Sequence, residues 1–169
     1  MTETVVGLGL IVAIILGSAR RWRELQFLVT AVAVEASAFL LTTLVVARSR
    51  PPVHRLDPSP ATSSFPSGHV AAGMALYYGL AILLSAHIRN VALKTLIWIV
   101  AIALPFAIAL SRVYRGMHHP TDVIASLIVL GPGALIVALL AARSASAAAP
   151  PEEIVPTDEN EAPRVRQVA

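Results

Sequence analysis

The chain has 169 residues, of which 56% are hydrophobic, and its mean hydropathy is +0.73. A composition this apolar exceeds that of ordinary soluble domains and indicates a membrane protein. The formal net charge is +3, and the absence of cysteine excludes disulfides and thiolate chemistry. The thirteen Lys and Arg residues lie mostly between apolar runs, where helix orientation explains them better than a nucleic-acid partner does.

Five apolar runs follow one another along the chain, at 5–19, 25–47, 70–86, 91–110 and 123–142. Because a helix needs about 20 apolar residues to cross the hydrocarbon core, the last four runs are long enough to span a membrane. The first run is short, but it lacks the basic stretch and cleavage site of a signal peptide, so we expect it to cross as well. The sequence therefore predicts an all-α, polytopic membrane helix bundle with about five transmembrane helices.

The composition changes after the last apolar run. Residues 1–142 are expected to form one transmembrane domain, whereas Ala, Ser, Pro and Glu dominate from Arg143 onward. Such a segment cannot bury enough apolar surface to offset the entropy of ordering it, so 143–169 is predicted to be a disordered tail. Pro150-Pro151 makes continuation of the last helix through this tail unfavourable.

Three polar stretches lie at ends of the apolar runs: Arg50-Pro51, Pro66-Ser67-Gly68-His69, and Ser111-Arg112 followed by His118 and Asp122. Crossing a membrane and returning takes about 40 residues at a rise of 1.5 Å per residue. The separation of His69 from Ser111 along the chain matches this length. We therefore expect all three stretches to meet at one face of the membrane.

The residue types in these stretches are suited to binding a phosphate. Ser67 and Gly68 are expected to begin a helix, whose first N–H groups and positive dipole end attract anions. Gly68 also lets the backbone approach an oxyanion closely. Arg50 and Arg112 carry planar guanidinium groups that can bind phosphoryl oxygens in pairs.

Two histidines and a carboxylate complete the set. His118 and His69 can act as nucleophile and general acid in phosphoryl transfer. Asp122 lies four residues after His118, where a carboxylate can fix the imidazole tautomer and stabilise its cation. Pro120, between them, favours the start of a helix at this point.

Together these stretches resemble the type 2 phosphatidic acid phosphatase family, whose pattern is KxxxxxxRP, then PSGH, then SRxxxxxHxxxD. The second and third elements match Pro66-Ser67-Gly68-His69 and Ser111-Arg112, His118 and Asp122 at every specified position, and Arg50-Pro51 supplies the end of the first. The resemblance covers about residues 5–142. It implies an integral-membrane hydrolase that releases phosphate from a lipid, with no cofactor and no metal.

The resemblance also implies a role for each residue. His118 would attack phosphorus and form a phosphohistidine with the assistance of Asp122, while His69 would protonate the leaving oxygen and later activate water. The groups expected to hold the phosphoryl oxygens are Arg50, Arg112, Ser67 and the Gly68 N–H. Ser111 is expected to support either the phosphate or Arg112.

The chain departs from the family pattern in two respects. Thr43 stands where the family has its lysine, and the nearby Arg48 is a candidate to supply the missing charge. Membrane members of the family usually have six crossings, one more than the sequence predicts here.

Several substrates and activities stay open at this stage. We favour a polyprenyl diphosphate or phosphate as the substrate, followed by phosphatidic acid or phosphatidylglycerol phosphate. A lipid phosphotransferase would pass the phosphoryl group to another lipid instead of water. A pseudo-phosphatase that only binds a phospholipid is the non-enzymatic alternative, supported by Thr43. The oligomeric state is left open.

The loop charges predict the orientation of the chain. Two sets of basic residues face opposite sides of the membrane: Arg20, Arg21, Arg23, Arg89, Lys94 and Arg143 on one, and Arg48, Arg50, Arg55, Arg112 and Arg115 on the other. The second set coincides with the phosphate motifs, which explains its basicity independently of topology. We therefore expect a multi-pass protein of the cell membrane with its site on the extracytoplasmic face and its tail in the cytoplasm.

Glu35 is the exception among the charged residues, because it lies in the middle of the second apolar run. A carboxyl group at this depth is a functional candidate by default. No motif of the family covers Glu35, so we favour a neutral side chain that is hydrogen-bonded within the bundle.

Overall fold

The computed structural model describes residues 2–58 and 62–147, and these form helices and loops without any β-strand. The helices are α1 (Thr2–Ser18), α2 (Trp22–Val45), α3 (Gly68–His87), α4 (Val91–Tyr114), α5 (Pro120–Ala125) and α6 (Gly131–Ala147). A π-helical turn, Ser126–Leu130, joins α5 to α6. The predicted all-α fold is confirmed.

Four helical segments of the described chain are long and apolar enough to span a membrane: Trp22–Val45, Gly68–His87, Val91–Tyr114 and Pro120–Ala145. The shorter apolar helix Val5–Ser18 precedes them, within α1. The predicted count of about five thus corresponds to four long spans and one short first helix. Many of their apolar side chains are exposed, as expected of surfaces that face lipid.

The last span combines α5, the π-helical turn and α6. Pro120 occupies its first turn, and the Asp122 carboxylate accepts a hydrogen bond from the His119 N–H (2.8 Å). Further along, a Cβ atom on Gly131 would lie 2.7 Å from Cβ of Met74 in α3, so only glycine permits this contact. α6 continues past residue 142, and the remainder of the predicted tail, 148–169, lies outside the described residues.

α3 is the central helix of the bundle and packs against α2, α4 and α6. Two apolar clusters fix these contacts, one containing Phe27 and Leu135 and the other containing Val70 and Ile108. The arrangement brings the beginning of α3, the end of α4 and the beginning of α5 to one end of the bundle. The three polar stretches therefore meet, as their spacing predicts.

Candidate active site

A cavity of about 290 Å³ lies where these helix ends meet the loop between α2 and α3. It is close in size to the smallest pockets that bind small ligands. Five of the predicted site residues line it: Arg50, Gly68, His69, Arg112 and His118. The structure thus brings both histidines and both arginines to one cavity.

His118 is buried in the wall of this cavity, and a backbone carbonyl fixes its ring. Its Nδ1 lies 2.6 Å from the carbonyl oxygen of Ser64. Because a carbonyl oxygen only accepts hydrogen bonds, Nδ1 carries the proton and the lone pair resides on Nε2. Burial lowers the pKa of His118, and Arg50 acts in the same direction, while the Ser64 carbonyl and Asp122 oppose them. A neutral imidazole with its lone pair on Nε2 is the nucleophilic form.

Asp122 is fully buried and holds three groups around the cavity. Its carboxylate accepts hydrogen bonds from Ser64 Oγ (2.5 Å), the His119 N–H (2.8 Å) and Arg48 Nη1 (2.6 Å). Oδ2 lies 3.8 Å from His118 Nδ1, which is too far for a hydrogen bond. The sequence predicts direct orientation of His118 by Asp122, and the structure differs. Ser64 lies between them, and its carbonyl oxygen accepts the hydrogen bond from the His118 Nδ1–H.

Ser64 is a residue of the site that the sequence motifs do not contain. Its carbonyl accepts from His118, its hydroxyl donates to Asp122, and its N–H donates to the Arg48 carbonyl (2.8 Å). The only sequence signal is its position directly before Phe65 and the PSGH motif. A carbonyl is present in every residue, so this role leaves no mark on residue type.

The beginning of α3 has the form expected of an anion site. The Ser67 N–H donates to Ser126 Oγ (2.9 Å), whereas the Ser67 hydroxyl is buried with no partner among the described residues. A Cβ atom on Gly68 would lie 2.9 Å from the ring of Phe39 in α2. Glycine is therefore required at 68 for α2 and α3 to approach. Ser67 itself does not line the cavity.

The Arg50 guanidinium is positioned by one strong contact and one weaker one. Nη1 donates to the carbonyl of Met117 (2.7 Å) and Nη2 to Thr62 Oγ1 (3.3 Å), while Nε is buried with no partner among the described residues. Burial lowers the pKa of Arg50, with a further lowering from Arg55 and an opposing effect of Asp122. A partly buried cation with an unused N–H group is suited to an anionic ligand.

A second carboxylate, Asp57, approaches the other arginine of the cavity. Arg112 Nη1 lies 3.7 Å from Asp57 Oδ2, and Arg115 Nε donates to the same oxygen (2.5 Å). The hydrogen bond from Arg115 lowers the pKa of Asp57 and in turn raises the pKa of Arg115. Asp57 was not among the predicted site residues, because its motif-free loop gives no indication of where it folds.

Gly116 allows this loop to pack beside the site. Its φ of +67° lies in the left-handed region, and a Cβ atom there would lie 2.9 Å from Val53 Cγ2 and 3.0 Å from the His54 carbonyl. The Leu56 N–H donates to the Arg115 carbonyl (3.3 Å) across the same contact. The outer loop is therefore held against the turn that leads to His118.

Besides Ser67 and Asp122, three predicted residues do not line the cavity: Ser111, Thr43 and Arg48. The Ser111 carbonyl accepts the Arg115 N–H (3.0 Å), and Thr43 has its hydroxyl buried without a partner among the described residues. Arg48 differs from the expectation that it supplies the missing lysine charge. Its guanidinium donates to Asp122 and to Thr121 Oγ1 (2.7 Å), and this ion pair keeps its charge beside the buried carboxylate instead.

Within the part of the chain that the structure describes, no group of three His, Asp or Glu side chains is arranged to hold a metal ion. His119 directs its Nε2 to the Ser49 carbonyl (3.2 Å) and does not line the cavity. The imidazole groups that line the cavity are those of His69 and His118, with Arg50, Arg112 and the beginning of α3 beside them.

Comparisons with known proteins agree with this fold. The fold is similar to the crystal structure of Aquifex aeolicus LpxE, with a TM-score of 0.60, 23% identity and 82% of each chain covered. It is also similar to the first transmembrane PAP2 type phosphatidylglycerolphosphate phosphatase from Bacillus subtilis, with a TM-score of 0.66, 21% identity, and coverage of 86% of this chain and 74% of that one. A search of curated protein sequences gives no significant match.

A family model, described as the PAP2 superfamily, matches residues 6–145. The match includes every residue of the three motifs and all four long spans. The chain therefore belongs to the PAP2 superfamily, which confirms the family and the phosphatase class predicted from its motifs.

Proposed function

We propose that this protein hydrolyses a lipid phosphate or diphosphate in the membrane through a phosphohistidine intermediate. The observation that carries the proposal is the contact of His118 Nδ1 with the Ser64 carbonyl, because it places the lone pair on Nε2. The same cavity is lined by Arg50, Arg112 and the beginning of α3, which are groups that stabilise phosphoryl charge.

In the first step, His118 Nε2 attacks phosphorus and forms a P–N bond while the bond from phosphorus to the lipid oxygen breaks. His69 donates its proton to the leaving oxygen, and the lipid alcohol departs from a lipid phosphate, or the lipid monophosphate from a diphosphate. In the second step, His69 accepts a proton from water as the water oxygen attacks phosphorus. The P–N bond then breaks, inorganic phosphate is released and His118 returns to its starting form.

Asp122 acts on His118 through Ser64 in this scheme. As His118 becomes positively charged, the buried Asp122 carboxylate at 3.8 Å stabilises the imidazolium. The Ser64 carbonyl continues to accept the hydrogen bond from the Nδ1–H. The hydrogen bond from Ser64 Oγ to Asp122 maintains this spacing. Arg50 and Arg112 neutralise the phosphoryl oxygens as charge develops.

Access from the bilayer fits a lipid substrate. Val6 of α1 and Ala36 of α2 line the cavity and are also exposed on the outer surface of the bundle. A lipid whose phosphate occupies the cavity can thus leave its chains in the membrane. The candidates are a polyprenyl diphosphate or phosphate, favoured by the overall resemblance to short family members, and then phosphatidic acid and phosphatidylglycerol phosphate.

The proposed orientation follows the loop charges, with the cavity at the extracytoplasmic face and the C-terminal tail in the cytoplasm. Arg21 and Glu24, at the opposite end of the bundle from His118, form an ion pair beside His87. A cysteine introduced at His54, in the loop beside the cavity, is expected to react with an impermeant maleimide in intact cells. Protection of that cysteine, with labelling of one at Arg89 instead, would invert the orientation.

The activity is tested by phosphate release in detergent from a panel of polyprenyl diphosphate, polyprenyl phosphate, phosphatidic acid and phosphatidylglycerol phosphate, with and without EDTA. We expect release that persists in EDTA and falls by at least about 10⁴-fold in His118→Ala, since the nucleophile is removed. His119→Ala is the matched control, because His119 is adjacent in sequence and does not line the cavity.

Radiolabelled lipid should also leave phosphate on the His69→Ala protein, in an acid-labile, base-stable linkage at His118. Loss of phosphate release in EDTA, or an equal loss of release in His118→Ala and His119→Ala, would overturn the mechanism. Phosphate found on a second lipid, with none released, would indicate a transferase, and binding without either product a pseudo-phosphatase.

A further inference from the structure

One wall of the cavity lies inside the membrane and differs from the rest. The residues that α1 and α2 contribute to it are Val5, Val6, Glu35, Ala36 and Phe39. All of these are apolar except Glu35. This membrane wall therefore carries a carboxyl group in surroundings that would otherwise suit a hydrocarbon chain.

The Glu35 side chain is buried, and one of its carboxyl oxygens has no hydrogen-bond partner among the described residues. Only 4% of the residue is exposed, and the oxygen without a partner there is Oε1. The sequence favours a glutamate bonded to neighbouring helices, and the structure provides no such bond to Oε1. A polar group left without a partner in hydrocarbon is costly, so retention of a carboxyl group here calls for a ligand that satisfies it.

The position of Glu35 relative to the phosphate end follows from α2. Phe39 packs against Gly68 at the beginning of α3, and Glu35 lies four residues earlier on the same helix face. One helical turn corresponds to about 6 Å, so Glu35 lies roughly that much deeper in the membrane than the anion-binding end of α3. A lipid with its phosphate beside Gly68 would present its first few non-phosphate atoms to Glu35.

The chemistry of those atoms differs between lipid classes. A glycerolipid phosphate has hydroxyl or ester oxygens within a few bonds of the scissile ester, whereas a polyprenyl phosphate has only hydrocarbon there. In its protonated form a carboxyl group can donate one hydrogen bond and accept others, so it can pair with either kind of oxygen. A hydrocarbon chain over Glu35 would instead cover the carboxyl group without pairing it.

We propose that Glu35 determines substrate specificity by hydrogen-bonding an oxygen atom of the lipid next to the scissile phosphate ester. This inference rests on the proposed function as a lipid phosphatase and deepens it. Glu35 favours lipids that are oxygenated near the phosphate over those that are pure hydrocarbon at this position. It therefore places glycerolipid phosphates ahead of polyprenyl phosphates as substrates of this chain, which reverses the order that the resemblance to short family members alone favours.

The test compares kcat and KM for phosphatidic acid and for a polyprenyl phosphate in the same detergent micelles. The variants are Glu35→Leu, which removes the hydrogen bond, and Glu35→Gln, which retains one. Ser37→Ala is the matched control, since Ser37 is a polar residue of the same helix that is exposed and bonds only to the Ala33 carbonyl (2.7 Å). Thermal melting in detergent reports the folding of each variant.

We expect Glu35→Leu to lower kcat/KM for phosphatidic acid about tenfold, mainly through KM, because one hydrogen bond to the bound lipid is lost. Its kcat/KM for polyprenyl phosphate should stay within about twofold of the wild type or rise, since apolar contact improves. Glu35→Gln and Ser37→Ala should keep the wild-type preference. The ratio of the two substrates is the readout, because a general structural defect lowers both equally.

A parallel fall for both lipids, or an unchanged ratio in folded Glu35→Leu, would overturn the role of Glu35. If Glu35→Leu does not fold, the wild type and Glu35→Gln decide the question. A wild-type preference for phosphatidic acid that Glu35→Gln keeps supports the role of Glu35, and a wild-type preference for polyprenyl phosphate overturns it. Wild-type protein that releases phosphate from neither lipid would refute the proposed function itself, which separates that failure from the failure of this inference.

Discussion

The two sides of the cavity are built on different principles. On the side formed by the loops, His118 is bonded to Ser64, Asp122 to Arg48, and Arg50 to Met117. On the side formed by α2 within the membrane, Glu35 Oε1 has no partner among the described residues. Under the proposed function, the groups that take part in the chemistry are held by hydrogen bonds within the protein, whereas Glu35 would be paired only by the bound lipid.

The largest effect is expected on the loop side, from Asp122→Asn. The substitution removes the charge that stabilises the His118 imidazolium and binds Arg48, so we expect kcat to fall about 10³-fold. Thr121→Val is the control, since the Thr121 hydroxyl also accepts a hydrogen bond from Arg48 but carries no charge. It should change kcat less than about threefold, because a neutral hydrogen-bond partner is lost. Similar kcat values for both variants would show that Asp122 serves only the fold.

The pH dependence of kcat/KM tests the environment of His118 on the same side. The neutral imidazole attacks, so activity is lost as pH falls through its pKa, and burial lowers that pKa. The acid limb should therefore lie below pH of about 6.5, the ordinary value for histidine. Because Asp122 raises the pKa of His118, Asp122→Asn should move the limb to still lower pH. A limb above the ordinary value, or an upward shift in the variant, would contradict the assignment.

Asp57 sharpens the comparison from the outer edge of the loop side. Its carboxylate competes with a phosphate for Arg112, so Asp57→Asn should lower KM about threefold by removing a nearby negative charge. Arg115→Gln should have the opposite effect and raise KM, since Asp57 then has Arg112 as its remaining partner. Initial rates over a range of lipid concentrations measure both values. A rise of KM in both variants would mean that Asp57 serves chiefly to hold the loop.

An effect of similar, small size is expected from Thr43→Lys, at the upper end of the α2 side. Thr43 lies one turn beyond Phe39 and has a buried hydroxyl without a partner among the described residues, so a lysine stem can extend from it toward the cavity. We expect phosphate release to rise about threefold as a positive charge approaches the substrate. A large loss of activity would show that the α2 side is adapted to a neutral residue here.

The sequence predicts most of this fold because apolar runs of sufficient length have few alternatives to spanning helices. It also predicts the cavity residues of the motifs, since His69, Arg112 and His118 act through distinctive side chains at fixed spacings. It cannot predict Ser64, whose role belongs to its backbone carbonyl, or Asp57, whose place depends on the left-handed turn at Gly116. Thr43 stands at the lysine position of the family pattern, and the sequence offers the nearby Arg48 as a replacement for that charge. It does not predict that Arg48 forms an ion pair with Asp122.

The π-helical turn Ser126–Leu130 separates two demands on one membrane span. A π-helical turn inserts an extra residue and so changes the rotational phase of everything after it. Before the turn, Asp122 faces His118; after it, Gly131 faces Met74. The side chains of α6 therefore point in directions different from those they would have if α5 continued into α6 as one regular α-helix. Sequence changes in this chain that adjust the orientation of the end carrying Asp122 need not rotate the end that packs through Gly131.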